Sequence, residues 1–250
     1  MSRFSELPLM LLSLPMIFLA LSVHESAHGL AAYKLGDPTA RNLGRLTLNP
    51  IKHIDLFGFI CMLVFHIGWA KPVPVNARNF KNPRRDMALT AAAGPLSNLL
   101  TAIALAGLLR LEIWLADSLF REEMVFFLIG ETNFSMGFKC ISVLTYILYM
   151  GVLLNISLSI FNLIPIPPFD GSRIAHVFLP TKWYFAIMKY EQIIMIVLLV
   201  LLWIFPNAWL SNATGWLSSL ILRIFGMGGS SEALMELNTM LLYISQALSF

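Results

Sequence analysis

Apolar residues come in long blocks along this chain instead of alternating with polar ones. Leu7 to Val23 carries no charged residue, nor does Met87 to Leu109, nor Cys140 to Phe169. A fourth uncharged run, Gln192 to Leu222, is interrupted by Pro206-Asn207. The first three approach or exceed the roughly 20 apolar residues needed to cross a bilayer. Lipid cannot satisfy open backbone groups, so helices must do the spanning. The pattern predicts a first helix over about 7–34, ended by Gly36-Asp37-Pro38. A second covers about 86–109, with Gly94-Pro95 expected to distort it. A third covers about 139–163 and stops in "NLIPIPPFDG", where three prolines in four residues prevent a regular helix. Two more are expected over about 183–205 and 208–225.

The intervening segments read differently. "RNLGRLTLN", within 39–56, alternates and predicts short strands or a hairpin. "LFGFICMLVFHIGWA" (56–70) is apolar but short, and reads as a re-entrant or interfacial piece. "KPVPVNARNFKNPRRD" (71–86) is a loop by its prolines, asparagines and charges. The tail "EALMELNTMLLYISQALSF" is amphipathic or membrane-associated. The fold class expected is an all-α polytopic membrane protein. It is a bundle of about 5–6 transmembrane helices, with a re-entrant or short β segment after the first. Residues 1–228 read as one transmembrane domain, with 39–85 cytoplasmic, and 229–250 as a C-terminal tail.

Composition agrees: 58% of the 250 residues are hydrophobic and 12% charged, against about a quarter charged in soluble domains. The net charge of +3 is small, but nine of the 17 Lys and Arg fall between Lys34 and Arg85. The segment 117–138 holds Asp117, Glu122, Glu123 and Glu131 against Arg121. The basic bias of cytoplasmic loops puts 34–85 inside and 117–138 outside, in a multi-pass protein of the plasma membrane. Nothing in the basic loop reads as nucleic-acid recognition. Arg3 before an apolar run resembles a signal peptide, but no good cleavage site follows, and a cut near Ser22 would remove the first helix. Cys61 and Cys140 sit in no CxxC and are expected to be packing residues.

The chemistry lies at the inner end of the first helix, in "VHESAHGLAAYKLGD". Residues four apart share a helix face, so His24 and His28 can grip one metal ion. Glu25 projects beside them, where a carboxylate can act as general base on water at that metal. Three ionisable groups within five residues of a membrane segment are expensive, which points to function. A catalytic zinc needs a third protein ligand. Ala31 and Lys34 exclude the metzincin extension. The candidates are His53, Asp55, His66, Asp170 and His176. Asp170 is favoured: it follows the inner end of a helix that runs inward like the first, and it is the only acid between Glu131 and Glu191. Its plain alternative is a helix N-cap. His53 and Asp55 suit a polar surface role better, and His66 and His176 packing or interfacial roles.

With "HESAH", "GWAKPVPVN" followed by "NPRRDMALTAAAGPLSN", and "NLIPIPPFDG" in that order, the chain resembles the site-2 proteases over roughly residues 20–180. These are intramembrane zinc metallopeptidases that cut transmembrane segments of other proteins. The resemblance implies one zinc ion on His24, His28 and Asp170, with Glu25 as base. It also implies a substrate or oxyanion role for Asn162, whose plain alternative is a helix-ending hydrogen bond. The expected partners are a transmembrane protein or peptide substrate and the lipid bilayer. A hairpin at 39–56 would pair with the unwound substrate. Phe169 stands where the family usually has Leu, and the chain reads as a compact form without a PDZ or CBS domain. Two other classes remain: a membrane metal transporter or sensor, and an inactive substrate-binding scaffold. The first would want ligands on further helices, and the second would lack a chemical residue.

Overall fold

The computed structural model describes residues 7–65, 68–128, 134–179, 181–204, 208–228 and 232–247. Among them all regular structure is helical, and three helices are long and apolar enough to cross a membrane: Pro8–Lys34, Pro83–Phe127 and Met136–Asn162. In element order these lie in α1 (Leu7–Lys34), α4 (Pro83–Leu128) and α5 (Met136–Asn162). Between α1 and α4 come α2 (Thr39–Asn42), a 3₁₀ turn at Pro50–Lys52, α3 (Leu56–Phe65) and a 3₁₀ turn at Ala77–Asn79. After α5 follow α6 (Asp170–Ala175), α7 (Thr181–Met188), α8 (Glu191–Ile204), α9 (Ala208–Ile224) and α10 (Glu232–Ala247). Large apolar side chains stand exposed along the spans, among them Leu96, Leu100, Leu108 and Trp114 on α4. A helix apolar on its outer face as well as its inner one is built for lipid.

Three expectations change. The alternating segment 39–56 forms no hairpin. Its only extended pairing is an isolated antiparallel bridge between Ile54 and Ala70. Asp37 starts a turn at Thr39 through both the backbone N–H and the hydroxyl of that residue. Gly44 then adopts φ +63°, which breaks any strand there, and Pro50 opens a 3₁₀ turn capped by Asn49. Second, the Gly94-Pro95 pair does not distort α4. The one residue off helical backbone angles is Phe120, at φ −133° and ψ 20°. Ser97 Oγ donates to the Gly94 carbonyl and Ser159 Oγ to that of Pro95, while the bond that proline removes is the one to the Ala91 carbonyl one turn back. The helix also runs past Leu109, because nothing between Leu96 and Leu128 is a Pro, and a lone Gly107 does not stop it. Third, the fourth predicted helix is two, α7 and α8, each shorter than a bilayer span.

The chain divides into two compact units. One comprises Met1–Ile17, Leu100–Ile156 and Thr214–Phe250. Its core packs Ala116, Met124, Phe138 and Met240, ringed by Phe120, Phe134, Ile141 and Tyr243. α10 belongs to it through Leu237, Met240 and Ile244, all buried, while Met235 and Leu242 face outward. The other unit comprises Phe18–Leu99 and Ser157–Ala213, and it holds every candidate site residue described. In it, Phe18 of α1 meets Phe59 of α3, ring centroids 5.8 Å apart, and Phe161 at the end of α5 meets Phe169, 4.3 Å apart.

Candidate metal centre

α1 stays helical through the motif, so His24 and His28 stack on one face, one turn apart. Asp170 reaches them from the start of α6. The chain can turn back there because Gly171 has no side chain: a Cβ on it would lie 2.3 Å from the Leu163 carbonyl oxygen and 2.4 Å from that of Ile164. The backbone leaving α5 is thereby packed directly against the Asp-Gly step. Asp170 does not cap α6. The N-cap position is Phe169, with no side-chain capping bond. Instead Asp170 Oδ2 lies 3.1 Å from His24 Nε2 and 3.1 Å from His28 Nε2, and the two imidazole nitrogens are 3.0 Å apart.

The proton inventory of that triangle is informative. His28 Nδ1 lies 2.8 Å from the Thr90 carbonyl. A carbonyl only accepts, so Nδ1 carries the hydrogen and a neutral His28 turns the lone pair of Nε2 inward. That lone pair points at a carboxylate oxygen and at a second imidazole nitrogen, in a site where His24 is 5% and His28 9% exposed. Three atoms of metal-ligand type thus converge out of water, close enough to share one cation. Zinc bonds of about 2.0–2.2 Å put tetrahedral donors about 3.3–3.6 Å apart. The observed spacings are a little tighter, and the His₂Asp donor set is of the kind zinc takes. Among the described residues this is the one group of His, Cys, Asp and Glu close enough to hold a metal.

Glu25 is 9% exposed. Its Oε2 accepts the Val73 backbone N–H at 2.7 Å, and among the described residues Oε1 has no hydrogen bond. The segment that supplies Val73 is itself anchored. Asp37, fully buried just past α1, accepts from Asn76 N–H at 2.7 Å and from Asn79 Nδ2 at 2.6 Å. Burial pushes the Asp37 carboxyl up, but the hydrogen bonds from Thr39, Asn76 and Asn79 outweigh it and hold it below its usual value.

The other sequence candidates go elsewhere. His53 is fully buried, not a surface residue: its Nε2 lies 2.7 Å from the Thr47 carbonyl, which also accepts from Ser26 Oγ at 2.6 Å. It ties the loop to α1. Asp55 caps α3 through Gly58 N–H at 2.8 Å. His176 ends α6, and its carbonyl accepts from Arg84. His66 lies outside the described residues. Asn162, half-buried, donates from Nδ2 to Leu158 O one turn back at 2.9 Å.

The structure adds Val73 and Thr90, which contribute only main-chain groups, and Gly94. A Cβ on Gly94 would sit 2.5 Å from His28 Nε2 and 2.7 Å from His24 Cε1. Glycine is what lets α4 press against both imidazoles. The signal in the sequence was "AAAGPLSN", whose small residues foretold close helix approach without saying which one mattered.

A family model described as peptidase family M50 matches residues 13–205, which include every residue of this centre. The chain is 42% identical over 203 residues to "Putative zinc metalloprotease YwhC" of Bacillus subtilis (strain 168), covering 80% of this chain and 85% of that protein. It is 27% identical over 157 residues to "Putative zinc metalloprotease Rip2" of Mycolicibacterium smegmatis, covering 61% of this chain and 51% of that protein. No solved structure matches the chain.

Proposed function

The chain belongs to peptidase family M50, and from that premise we propose that His24, His28 and Asp170 hold one zinc ion per chain, that Glu25 is the general base, and that the bond cut lies within or beside a transmembrane segment of another protein. Family membership and the relatives' names make the enzyme an intramembrane zinc metallopeptidase. The observation that carries the site assignment is the triangle of donor atoms at 3.0–3.1 Å, with the His28 tautomer set by Thr90.

Bound zinc supplies a Lewis acid that polarises the scissile carbonyl and lowers the pKa of a water to about 7. Glu25 Oε1 takes a proton from the attacking water while Val73 N–H keeps Oε2 in place. The water oxygen joins the carbonyl carbon, the C–N bond breaks, and Glu25 returns the proton to the leaving nitrogen. Such proton transfer contributes typically 10²–10⁴-fold. The Asn162 hydrogen not engaged by Leu158 is the candidate donor to the developing oxyanion.

His24 precedes Lys34 by ten residues, about 15 Å along the axis, so the centre lies inside the bilayer near one surface. The basic bias of 34–85 makes that surface the cytoplasmic one, in the plasma membrane. A substrate helix must unwind there, because its peptide groups are otherwise engaged with one another. Residues 1–228 form the catalytic domain in this reading, and 229–250 a C-terminal segment whose helix α10 packs into the unit that holds Leu100–Ile156.

Zinc content of the protein purified in detergent tests the assignment. Wild type should carry one zinc per chain. His28→Ala and Asp170→Asn should each lose most of it while keeping their helix content. Equal zinc in all three would overturn the ligand set.

A further inference from the structure

The two ligand histidines differ in one respect. His28 Nδ1 has the Thr90 carbonyl, whereas His24 Nδ1 is fully buried with no hydrogen-bond partner among the described residues. A histidine that binds metal through Nε2 carries its proton on Nδ1, and that proton almost always goes to an acceptor, which fixes the ring. α4 is the element beside it. A Cβ added at Gly94 would lie 2.7 Å from His24 Cε1, the ring atom between Nδ1 and Nε2, so α4 runs against this edge of the ring. One helical turn further along α4 stands Asn98, fully buried, with neither amide oxygen nor amide nitrogen paired among the described residues. Helical side chains lean toward their own N-terminus, so Asn98 covers the turn that contains Gly94. Ser22 Oγ is also buried and unpaired, but it is two residues from His24 on the same helix, and such positions do not face each other.

The two groups are not hydrogen-bonded to each other in this structure; we infer that Asn98 is a positioning residue of the metal centre, its Oδ1 taking the His24 Nδ1 proton once a metal seats the ring and so holding His24 Nε2 toward it. Thr90 and Asn98, two turns apart on one face of α4, then orient one histidine each, with Gly94 between them as the gap that admits both rings. An unpaired amide inside an apolar helix is otherwise costly. The inference rests on the ligand set proposed above.

The test measures zinc affinity by chelator competition, and the visible absorption of the cobalt-substituted protein, for wild type, Asn98→Leu, Asn98→Asp, His24→Ala and Thr145→Val. Thr145 is a buried polar residue of the other unit and serves as the packing control. Asn98→Leu should weaken zinc binding by about 10–100-fold, the usual effect of losing such a partner. Asn98→Asp should keep wild-type affinity or exceed it, with a shifted cobalt band, because a carboxylate accepts the same proton. Thr145→Val should stay within about twofold of wild type. Asn98→Leu within about twofold of wild type would overturn the inference. So would Asn98→Asp falling as far as Asn98→Leu, or Thr145→Val falling with them. Zinc retained in His24→Ala would instead overturn the ligand set.

Discussion

At Gly94, one added methyl group would lie 2.5 Å from His28 Nε2, well inside van der Waals contact. Gly94→Ala is therefore expected to push both rings off the metal, lowering zinc affinity about tenfold or more while the helices remain; chelator competition and circular dichroism together check this. Wild-type affinity in that variant would mean α4 does not wall the centre. The second residue-scale prediction concerns Val73. Val73→Pro removes the N–H that holds Glu25 in a segment already flanked by Pro72 and Pro74, and because it also replaces a side chain buried near Gly29 of α1, Val73→Ala serves as the packing control. Losing a hydrogen bond to a charged group costs about 1.5–3 kcal/mol, so kcat should fall roughly 10–100-fold with zinc content unchanged. At this scale the sequence marked the side chains that the fold brings together. His24, Glu25 and His28 announce themselves by helical spacing, and Asp170 by its isolation in an apolar run. Val73 and Thr90 are placed to act through main-chain groups, an N–H that every residue but proline carries and a carbonyl that all carry, so little in their identity marked them. His53 was misread because a histidine in a basic loop looks solvated, and its burial comes from the fold of 47–53 against α1.

Among the elements, α1 and α5 follow their apolar runs closely, since length and uniform apolarity are strong local signals. The loop between α1 and α4 was less readable. Its alternation of Leu with polar residues has strand period but no partner strand, and side-chain turns at Asp37 and Asn49 claim the backbone instead. Asp37 clamps this loop to the end of α1, and its lowered pKa makes the clamp depend on pH. A carboxylate held below its usual value stabilises the fold above the ordinary aspartate pKa, and that contribution is lost as pH falls through the folded value. Asp37→Asn should accordingly lower the thermal midpoint at neutral pH. The gap to wild type should close as both proteins are taken below about pH 3.8, the ordinary aspartate value. A gap that does not change with pH would contradict the clamp.

At the scale of the whole molecule, composition alone announced a membrane protein, and the three spans follow from it. The number of crossings was harder to read, because 183–222, largely apolar but for Lys189 to Gln192 and Pro206-Asn207, breaks into α7, α8 and α9. Orientation rests on the basic loop. In a background without Cys61 and Cys140, a membrane-impermeant maleimide should reach Lys81→Cys from the cytoplasmic side and Glu122→Cys from the opposite side. Labelling with the sides exchanged would place the centre near the other surface.

The most direct test of the account is cleavage of a model single-span substrate by purified protein in liposomes, with wild type and Glu25→Gln side by side and zinc assayed in both. The account predicts cleavage by wild type, a loss of at least about 10²-fold in Glu25→Gln, and equal zinc. Undiminished cleavage by Glu25→Gln with zinc still bound would contradict it, because the metal would then be working without the base assigned here.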